Sequence, residues 1–267
     1  MNRLVEIARV VRWAAESGAR DYASIYTWKS WLAAWYLRVL AQVVFFALIG
    51  RLLESDDAVY FLLIGNAVML AAMEGIWALN LISWERHTST LPLLVASPSS
   101  PVTVFGARGL YMAADGLISA MGALFVAGPI FGLPLPWPDV LLVPPLTALV
   151  GLSAYCFGTF LGGVIIGYRE INNVVVNGSI LLLMAIAGVN VPVDYYPEPV
   201  EWISNILPLT HGLDAIREVL AEGEAFSVLV YAAMEGAVAL GWLTLALFTF
   251  NRLATRGRAD GSIEFGA

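Results

Sequence analysis

Six stretches of the chain are long and apolar enough to cross a lipid bilayer, and they constrain its fold more than any other feature of the sequence. A spanning helix needs about 20 mostly apolar residues. The six stretches comprise residues 31–53, 59–83, 107–131, 140–168, 171–193 and 225–251. Charged residues make up only 13% of the chain, against about 25% in soluble domains. The sequence therefore predicts an all-α integral membrane protein with six transmembrane helices, in a single domain over residues 1–267.

The first 30 residues precede the first stretch and carry too many charges to span a membrane. Between residues 2 and 19, apolar side chains recur at helical spacing among arginines and glutamates, at Leu4, Ile7, Val11 and Ala14. This pattern is typical of an amphipathic helix that lies in the membrane interface. A solvated arm is the alternative interpretation.

The distribution of basic residues predicts which side of the membrane each loop occupies. With six spans, most of the 14 Lys and Arg residues fall on the side of the N-terminus, whereas the acidic residues of the loops collect mainly on the other side. Cytoplasmic loops carry the excess of Lys and Arg in membrane proteins. We therefore expect a multi-pass protein of the cytoplasmic membrane with both termini in the cytoplasm.

Two loops are longer than the others, and both contain helical patterns. On the cytoplasmic side, residues 84–98 have a charged start, an amphipathic middle and a Ser-Pro end, which is typical of a short surface helix. On the extracellular side, residues 194–224 contain two short helical patterns punctuated by Pro197, Pro199 and Pro208. We expect a re-entrant or surface-lying helical hairpin before the last span. A re-entrant hairpin requires that protein cover its backbone.

The order of these features, together with two local motifs, resembles the permease subunit of a type-2 ATP-binding-cassette (ABC) exporter. The motifs are Trp84-Glu-Arg-His-Thr-Ser-Thr-Leu-Pro-Leu-Leu-Val-Ala-Ser-Pro98 and Ile206-Leu-Pro-Leu-Thr-His-Gly-Leu-Asp-Ala-Ile-Arg217. Three positions depart from the family pattern: Ser89 stands where glycine is usual, Pro92 lies near the usual acid, and Leu207 replaces an asparagine. The resemblance covers nearly the whole chain.

The resemblance implies that residues 84–98 form a coupling helix that docks on a separate ABC ATPase. Its apolar residues would anchor the contact and its charged residues would set the orientation. A helix resting on lipid headgroups is the alternative, and the loop after the fourth span is a second candidate contact. The expected ATPase-coupling residues are Glu85, Arg86, Leu91, Leu94, Val95, Ser97, Pro98, Arg169 and Glu170.

The sequence lacks the Gly-x-x-x-x-Gly-Lys-Ser/Thr loop that binds nucleotide phosphates. We therefore expect that the chain is not an enzyme and that ATP and Mg bind to the partner ATPase. Two histidines and one cysteine do not form a metal-ligand pattern, so no metal or other cofactor is expected in this chain. The resemblance implies two ATPase copies and a second permease, as a homodimer or a paralogous heterodimer. Membrane lipid is a further partner, and no nucleic acid is expected.

Four charged side chains fall within the predicted spans, at Arg38, Glu74, Asp115 and Glu235. Each costs about 2.5–3.5 kcal/mol at the centre of a span, so each should face protein or water. The rise of a helix brings the first three to a similar level and leaves Glu235 farther from the cytoplasm. The favoured interpretation is an ion-pair cluster with Arg38 between two acids, and a polar path for substrate or protons is the alternative. The cluster predicts that Arg38→Ala destabilises the protein more than Glu235→Ala.

Two further groups of residues are assigned from the resemblance. The fifth span of the family usually faces its counterpart in the second permease, which would place three asparagines near an inner gate. The extracellular hairpin carries residues of the second motif. The gate candidates are Asn172, Asn173 and Asn177, and the hairpin candidates are Pro208, His211 and Arg217.

The resemblance implies an exporter that moves a hydrophobic or amphiphilic substrate, such as a drug, an antibiotic or a lipid, as in bacterial multidrug efflux. An exporter of polysaccharides or lipid-linked glycans is the alternative within the class, because the many Trp and Tyr residues could also line a sugar path. A secondary transporter driven by protons through Glu74, Asp115 and Glu235 is the alternative of another class, although no inverted repeat is apparent.

Overall fold

The computed structural model describes residues 3–81, 101–165 and 171–259 of the 267-residue chain. Within these ranges the regular structure is helical, with no strand. The helices are α1 Arg3–Ile25, α2 Trp28–Leu52, α3 Asp56–Leu81, α4 Pro101–Arg108, α5 Leu110–Ile130, α6 Val143–Val164, α7 Asn172–Ile186, α8 Glu198–Ile206, α9 Thr210–Leu220 and α10 Ala225–Ala259.

Five of the six predicted spans are confirmed as helices of membrane-spanning length and composition. In the described ranges these are Trp28–Leu52, Asp56–Leu81, Gly106–Ile130, Asp139–Val164 and Ala225–Arg252. The protein is therefore a multi-pass membrane protein. Its bundle has two ends, the α1 end, where α1 packs, and the hairpin end, where α8 and α9 form a helical hairpin.

The length predicted for the fifth span was wrong, because α7 has only 15 residues. At about 1.5 Å per residue it covers roughly 22 Å, less than the ~30 Å hydrocarbon core. The helix ends before Gly188, which adopts a positive φ of 80°. The apolar run continues to residue 193, but Ala187 and Val189 are fully buried in a turn. Protein contacts, rather than lipid, account for the apolar character of this turn.

Helix α3 is the centre of the bundle, because α2, α5 and α6 pack around it and bury most of its length. Backbone atoms take part directly in its contact with α6. A Cβ atom added at Gly158 of α6 would lie 2.8 Å from the carbonyl oxygen of Ile76, and one added at Gly75 would lie 2.7 Å from the carbonyl oxygen of Gly151. Small residues allow such close approach between membrane helices.

Helix α1 is longer than the predicted amphipathic helix and packs on protein along one face. Gly18 allows it to cross α4, because an added Cβ would lie 2.0 Å from the carbonyl oxygen of Arg108. The side chains of Asp21 and Arg108 form an ion pair. The rings of Tyr22 and Tyr111 stack with centroids 4.9 Å apart. These contacts attach α1 to the beginning of α5.

The two helices of the hairpin differ sharply in burial. Helix α8 exposes the large apolar residues Trp202, Ile203 and Ile206. Most of α9, in contrast, is buried against α6 and α10. Helix α9 is therefore part of the protein core at the hairpin end, whereas α8 lies on its surface.

Candidate functional site

A cavity of about 340 Å³ lies at the α1 end of the bundle. Its walls come from α1, α2, α3, α4 and α5, so it is lined by elements that are distant in sequence. Five aromatic side chains dominate these walls, together with the charged residues Asp21, Glu74 and Arg108. The aromatic residues are Tyr22, Tyr26, Trp35, Trp77 and Tyr111.

Glu74 contributes a carboxylate to this cavity from the last third of α3. The residue is only 9% exposed. Within the described part of the chain, its carboxylate receives no hydrogen bond and forms no ion pair. The other acid of the lining, Asp21, is paired with Arg108. Glu74 is thus a largely desolvated carboxylate that has no partner of its own in the part of the chain that the structure describes.

Asp115 lies close to Glu74 but has its own hydrogen-bond donors. Its carboxylate accepts hydrogen bonds from the indole Nε1 of Trp31 at 2.8 Å and from the hydroxyl of Tyr22 at 3.2 Å. Burial, and next the negative charge of Asp115, raise the pKa of the Tyr22 hydroxyl, so this hydroxyl remains a donor. Trp31 begins a π-helical segment of α2, a feature that often occurs at functional sites.

The structure does not bring Arg38 into the predicted cluster with the two acids. Arg38 is exposed, and its guanidinium lies 5.1 Å from the ring centroid of Trp35. Among the described residues it forms no ion pair with Glu74 or Asp115. It attracts the Glu74 carboxylate only at longer range. The two acids are therefore near one another, and none of the cationic side chains that the structure describes lies between them.

Glu235 lies at the hairpin end, away from the other two intramembrane acids, and is fully buried. Its two carboxylate oxygens accept hydrogen bonds from the backbone N–H groups of Leu209 and Gly212, both at 3.0 Å. Leu209 is the N-cap residue of α9 and has a positive φ of 89°. A helix is usually capped by a side chain of its own first residues. Here α10 supplies the capping carboxylate for α9.

The three predicted hairpin residues occupy buried or half-buried positions around the same helix. Pro208 is buried in the turn before α9, and Nε2 of His211 lies 3.0 Å from the carbonyl oxygen of Asn205. Arg217 donates hydrogen bonds to the carbonyl oxygens of Phe61 at 3.1 Å and Gly188 at 2.9 Å. Its guanidinium also lies 3.6 Å from the ring centroid of Phe61.

Arg217 therefore joins α9 to α3 and to the turn after α7. Burial lowers its pKa to about 10, and the nearby Asp214 carboxylate opposes that change. The guanidinium is thus still charged at neutral pH. Burial likewise raises the pKa of Asp214, while Arg217 and then His211 counteract this shift. The sequence motif drew attention to Arg217, and the structure identifies the two backbone carbonyls that it holds.

Residues 22–221 of the chain match the family described as ABC-2 type transporter. The chain belongs to this family. The family comprises membrane components of ABC transporters, which confirms the resemblance seen in the sequence and makes the chain a transport component. No individual curated protein matches the chain.

The part that matches the ABC-2 family begins at Tyr22 and ends just after α9. It therefore includes the five aromatic residues of the cavity as well as Glu74 and Asp115. Helix α10 lies beyond the match, so the Glu235 cap joins the family region to the final helix. An ABC ATPase partner is implied by this family.

The three asparagines assigned to a gate lie on α7 of this ABC-2 family member. The side-chain amide of Asn172 donates to the side-chain oxygen of Asn80, which lines the cavity. Asn177 donates to the backbone carbonyl oxygen of Asn173 at 2.8 Å. Both Asn173 and Asn177 are exposed, as is the neighbouring Leu181. The asparagines are thus divided between a contact with α3 and an exposed face of α7.

The predicted ATPase-coupling residues fall outside the described residues. This applies to all of the candidates in 84–98 and to Arg169 and Glu170. Sequence reasoning also missed the cavity, because the aromatic residues that line it come from segments far apart in the chain. The signal in the sequence was that aromatic residues recur near the α1 end of several helices, which could have indicated a shared aromatic site.

Proposed function

We propose that the chain is the permease subunit of an ATP-driven exporter that moves a hydrophobic or amphiphilic substrate out across the cytoplasmic membrane. The observation that carries this proposal is the aromatic cavity at the α1 end of a bundle that belongs to the ABC-2 family. Sites for small molecules are typically apolar concave spaces of about 300–1,000 Å³ with a few polar groups. The cavity has this size and this composition.

The basic residues support an orientation with the α1 end in the cytoplasm. Arg9, Arg12 and Arg20 of α1, as well as Arg108, all lie at this end. Under the positive-inside rule, the cavity then lies in the cytoplasmic half of the membrane. Glu74 is seven residues from the end of α3 at Leu81, or about 10 Å along the helix. A substrate that enters from the cytoplasm or the inner leaflet would meet the aromatic walls before it reached Glu74.

The proposed assembly contains two ATPase subunits and a second permease, either identical or paralogous. We propose that residues 84–98, with Arg169 and Glu170, dock on the ATPase, which binds ATP and Mg. The exposed face of α7, with Val174 and Leu181, would face the second permease. In this arrangement α8 and α9 form an extracellular hairpin, with α9 covered by protein as a re-entrant helix requires.

The position of Glu235 argues against a proton-driven transporter that uses three membrane carboxylates. Glu235 is bound by two backbone N–H groups at the hairpin end. Glu74 and Asp115 lie toward the α1 end. The three acids therefore do not form a continuous path, and an ATPase is the better source of energy for the family.

The proposal is tested by expressing a tagged form of the chain in its native cells and purifying it with the proteins that accompany it. The complex should contain the ATPase, and vesicles reconstituted with it should move a fluorescent amphiphile in a reaction that needs ATP and is stopped by vanadate. An ATPase-inactive complex is the matched control. The proposal fails if no ATPase accompanies the chain and no vanadate-sensitive ATP turnover is found. Transport of a glycan in place of the amphiphile would support the glycan exporter instead.

A further inference from the structure

We propose that the cavity at the α1 end binds an organic cation with an apolar body, and that Glu74 is its counter-ion. The inference rests on the proposed export function, because it names the substrate class that the cavity would carry. Suitable ligands are lipophilic amines, quaternary ammonium compounds and phosphonium compounds. Three features of the cavity lead to this assignment.

The first feature is the unpartnered carboxylate. Glu74 lines the cavity while only 9% exposed, and among the described residues it has neither a hydrogen-bond donor nor an ion-pair partner. Charges inside a membrane protein normally pair with one another or with backbone groups, because leaving one unpaired in a low-dielectric site is costly. A bound cation would supply the missing partner.

The second feature is the charge balance of the surrounding groups. Asp21 and Arg108 form a pair, and Asp115 is satisfied by the donors Trp31 and Tyr22. Asp115 nevertheless adds negative charge close to Glu74. Among the described residues, Arg38 offsets this negative charge only at longer range. The described surroundings of Glu74 are therefore negative, which attracts a cation, repels an anion and offers no compensation to a neutral ligand.

The third feature is the aromatic lining. Tyr22, Tyr26, Trp35, Trp77 and Tyr111 surround the space beside Glu74. The faces of Trp and Tyr rings attract cations, and aromatic cages are a common way to bind quaternary ammonium groups. Trp35 already makes such a contact with Arg38 on its exposed side. The walls thus suit both the charge and the apolar body of an organic cation.

The test compares two ligands of nearly the same size and shape. Methyltriphenylphosphonium is a cation, whereas triphenylphosphine oxide is neutral. The binding of each is measured by equilibrium dialysis against the full chain in nanodiscs of uncharged phosphatidylcholine, with empty nanodiscs as the blank. We expect the wild-type chain to bind the cation at least tenfold more tightly. Equal affinities, or tighter binding of the neutral ligand, would overturn the proposal.

The role of Glu74 is tested with Glu74→Gln, which keeps the size of the side chain and removes its charge. Affinity for the cation should fall at least tenfold, while affinity for triphenylphosphine oxide should change less than twofold. Asp57→Asn is the matched control, since it removes a negative charge at an exposed position of the hairpin end. Unchanged cation binding in folded Glu74→Gln would refute Glu74 as the counter-ion. If this variant does not fold, the wild-type comparison still decides whether the cavity selects cations.

These measurements need no ATPase, so they separate this inference from the export function. Selective binding of the cation by a chain that does not transport with its ATPase would keep the site and refute the exporter. ATP-driven transport of neutral amphiphiles by a chain without cation selectivity would keep the exporter and refute the site.

Discussion

The carboxylate of Glu235 is expected to be one of the most important side chains for the stability of the protein. It accepts two backbone hydrogen bonds at the N-terminus of α9, and no water reaches this fully buried residue. In Glu235→Ala, the N–H groups of Leu209 and Gly212 would be left without acceptors. The positive φ of Leu209 would also lose the contact that holds it.

The magnitude follows from these contacts. A hydrogen bond to a charged group contributes about 1.5–3 kcal/mol, and a carboxylate at a helix N-terminus adds about 0.3–1 kcal/mol. Glu235→Ala should therefore lower the free energy of unfolding by about 3–7 kcal/mol, since there are two such bonds in addition to the helix-terminus contribution. At roughly 2–4 °C per kcal/mol for a chain of this size, the melting temperature should fall by about 6–28 °C.

Arg38→Ala is the matched control, because it also removes an intramembrane charge but loses only an exposed cation–π contact. Such a contact is worth about 0.5–1 kcal/mol, so the melting temperature should fall by roughly 1–4 °C. This order is the reverse of the one expected from the sequence. Glu235→Gln retains one acceptor oxygen and should lie between the two variants.

Thermal unfolding in detergent, followed by fluorescence-detected gel filtration, measures these differences. Amide hydrogen exchange adds a local measurement, since exchange at Leu209 and Gly212 should accelerate in Glu235→Ala before the rest of the bundle opens. Equal melting temperatures for Glu235→Ala and Arg38→Ala, with unchanged exchange at the start of α9, would refute the capping role.

Three further predictions concern other parts of the chain. Arg217→Lys should lower the free energy of unfolding by about 2 kcal/mol, because a lysine keeps the charge but loses the planar guanidinium that stacks on Phe61 and places one nitrogen between the two carbonyl oxygens. Thermal unfolding measures this change, and an unchanged melting temperature would contradict it. Gly158→Ala should destabilise the bundle, because its Cβ would clash with a backbone oxygen of α3. Gly178→Ala is the control and should be neutral, since nothing lies within 4 Å of a Cβ added there. Equal expression levels and equal melting temperatures of the two variants would count against backbone contact between α3 and α6. Charge reversal at Glu85 or Arg86 should separate ATP turnover from transport while leaving the chain folded, as measured in reconstituted vesicles; coupled transport in these variants would exclude a role in docking.

The spans were predictable because hydropathy is a local property. Whether about 20 consecutive residues are apolar can be read from the sequence without knowing what surrounds them. The same reasoning overestimated the length of the fifth span, because hydropathy does not distinguish apolar residues that face lipid from those buried in protein. Ala187 and Val189 belong to the second group. Gly188, which lies just after the end of α7 and has a positive φ, was the available signal.

The sequence predicted which charged residues lie within the membrane, but not which groups they contact. Their depth along each helix follows from helical rise, and it correctly separated Glu235 from Glu74 and Asp115. The depth of a residue along its helix does not determine the direction in which its side chain points. Arg38 shares a level with the acids but points to an exposed face over Trp35, and it therefore makes no ion pair with them.

The sequence by itself determined that this is a helical membrane protein, where its main spans lie and to which transporter family it is similar. These conclusions depend on contiguous residues and short motifs. Only the tertiary structure decided that Glu235 caps α9, that Arg217 holds two carbonyl oxygens, and that five aromatic residues surround Glu74. The physical reason is that each of these sites is assembled from helices far apart in sequence. Their contacts depend on which helix faces meet, and hydropathy along the chain does not encode this choice.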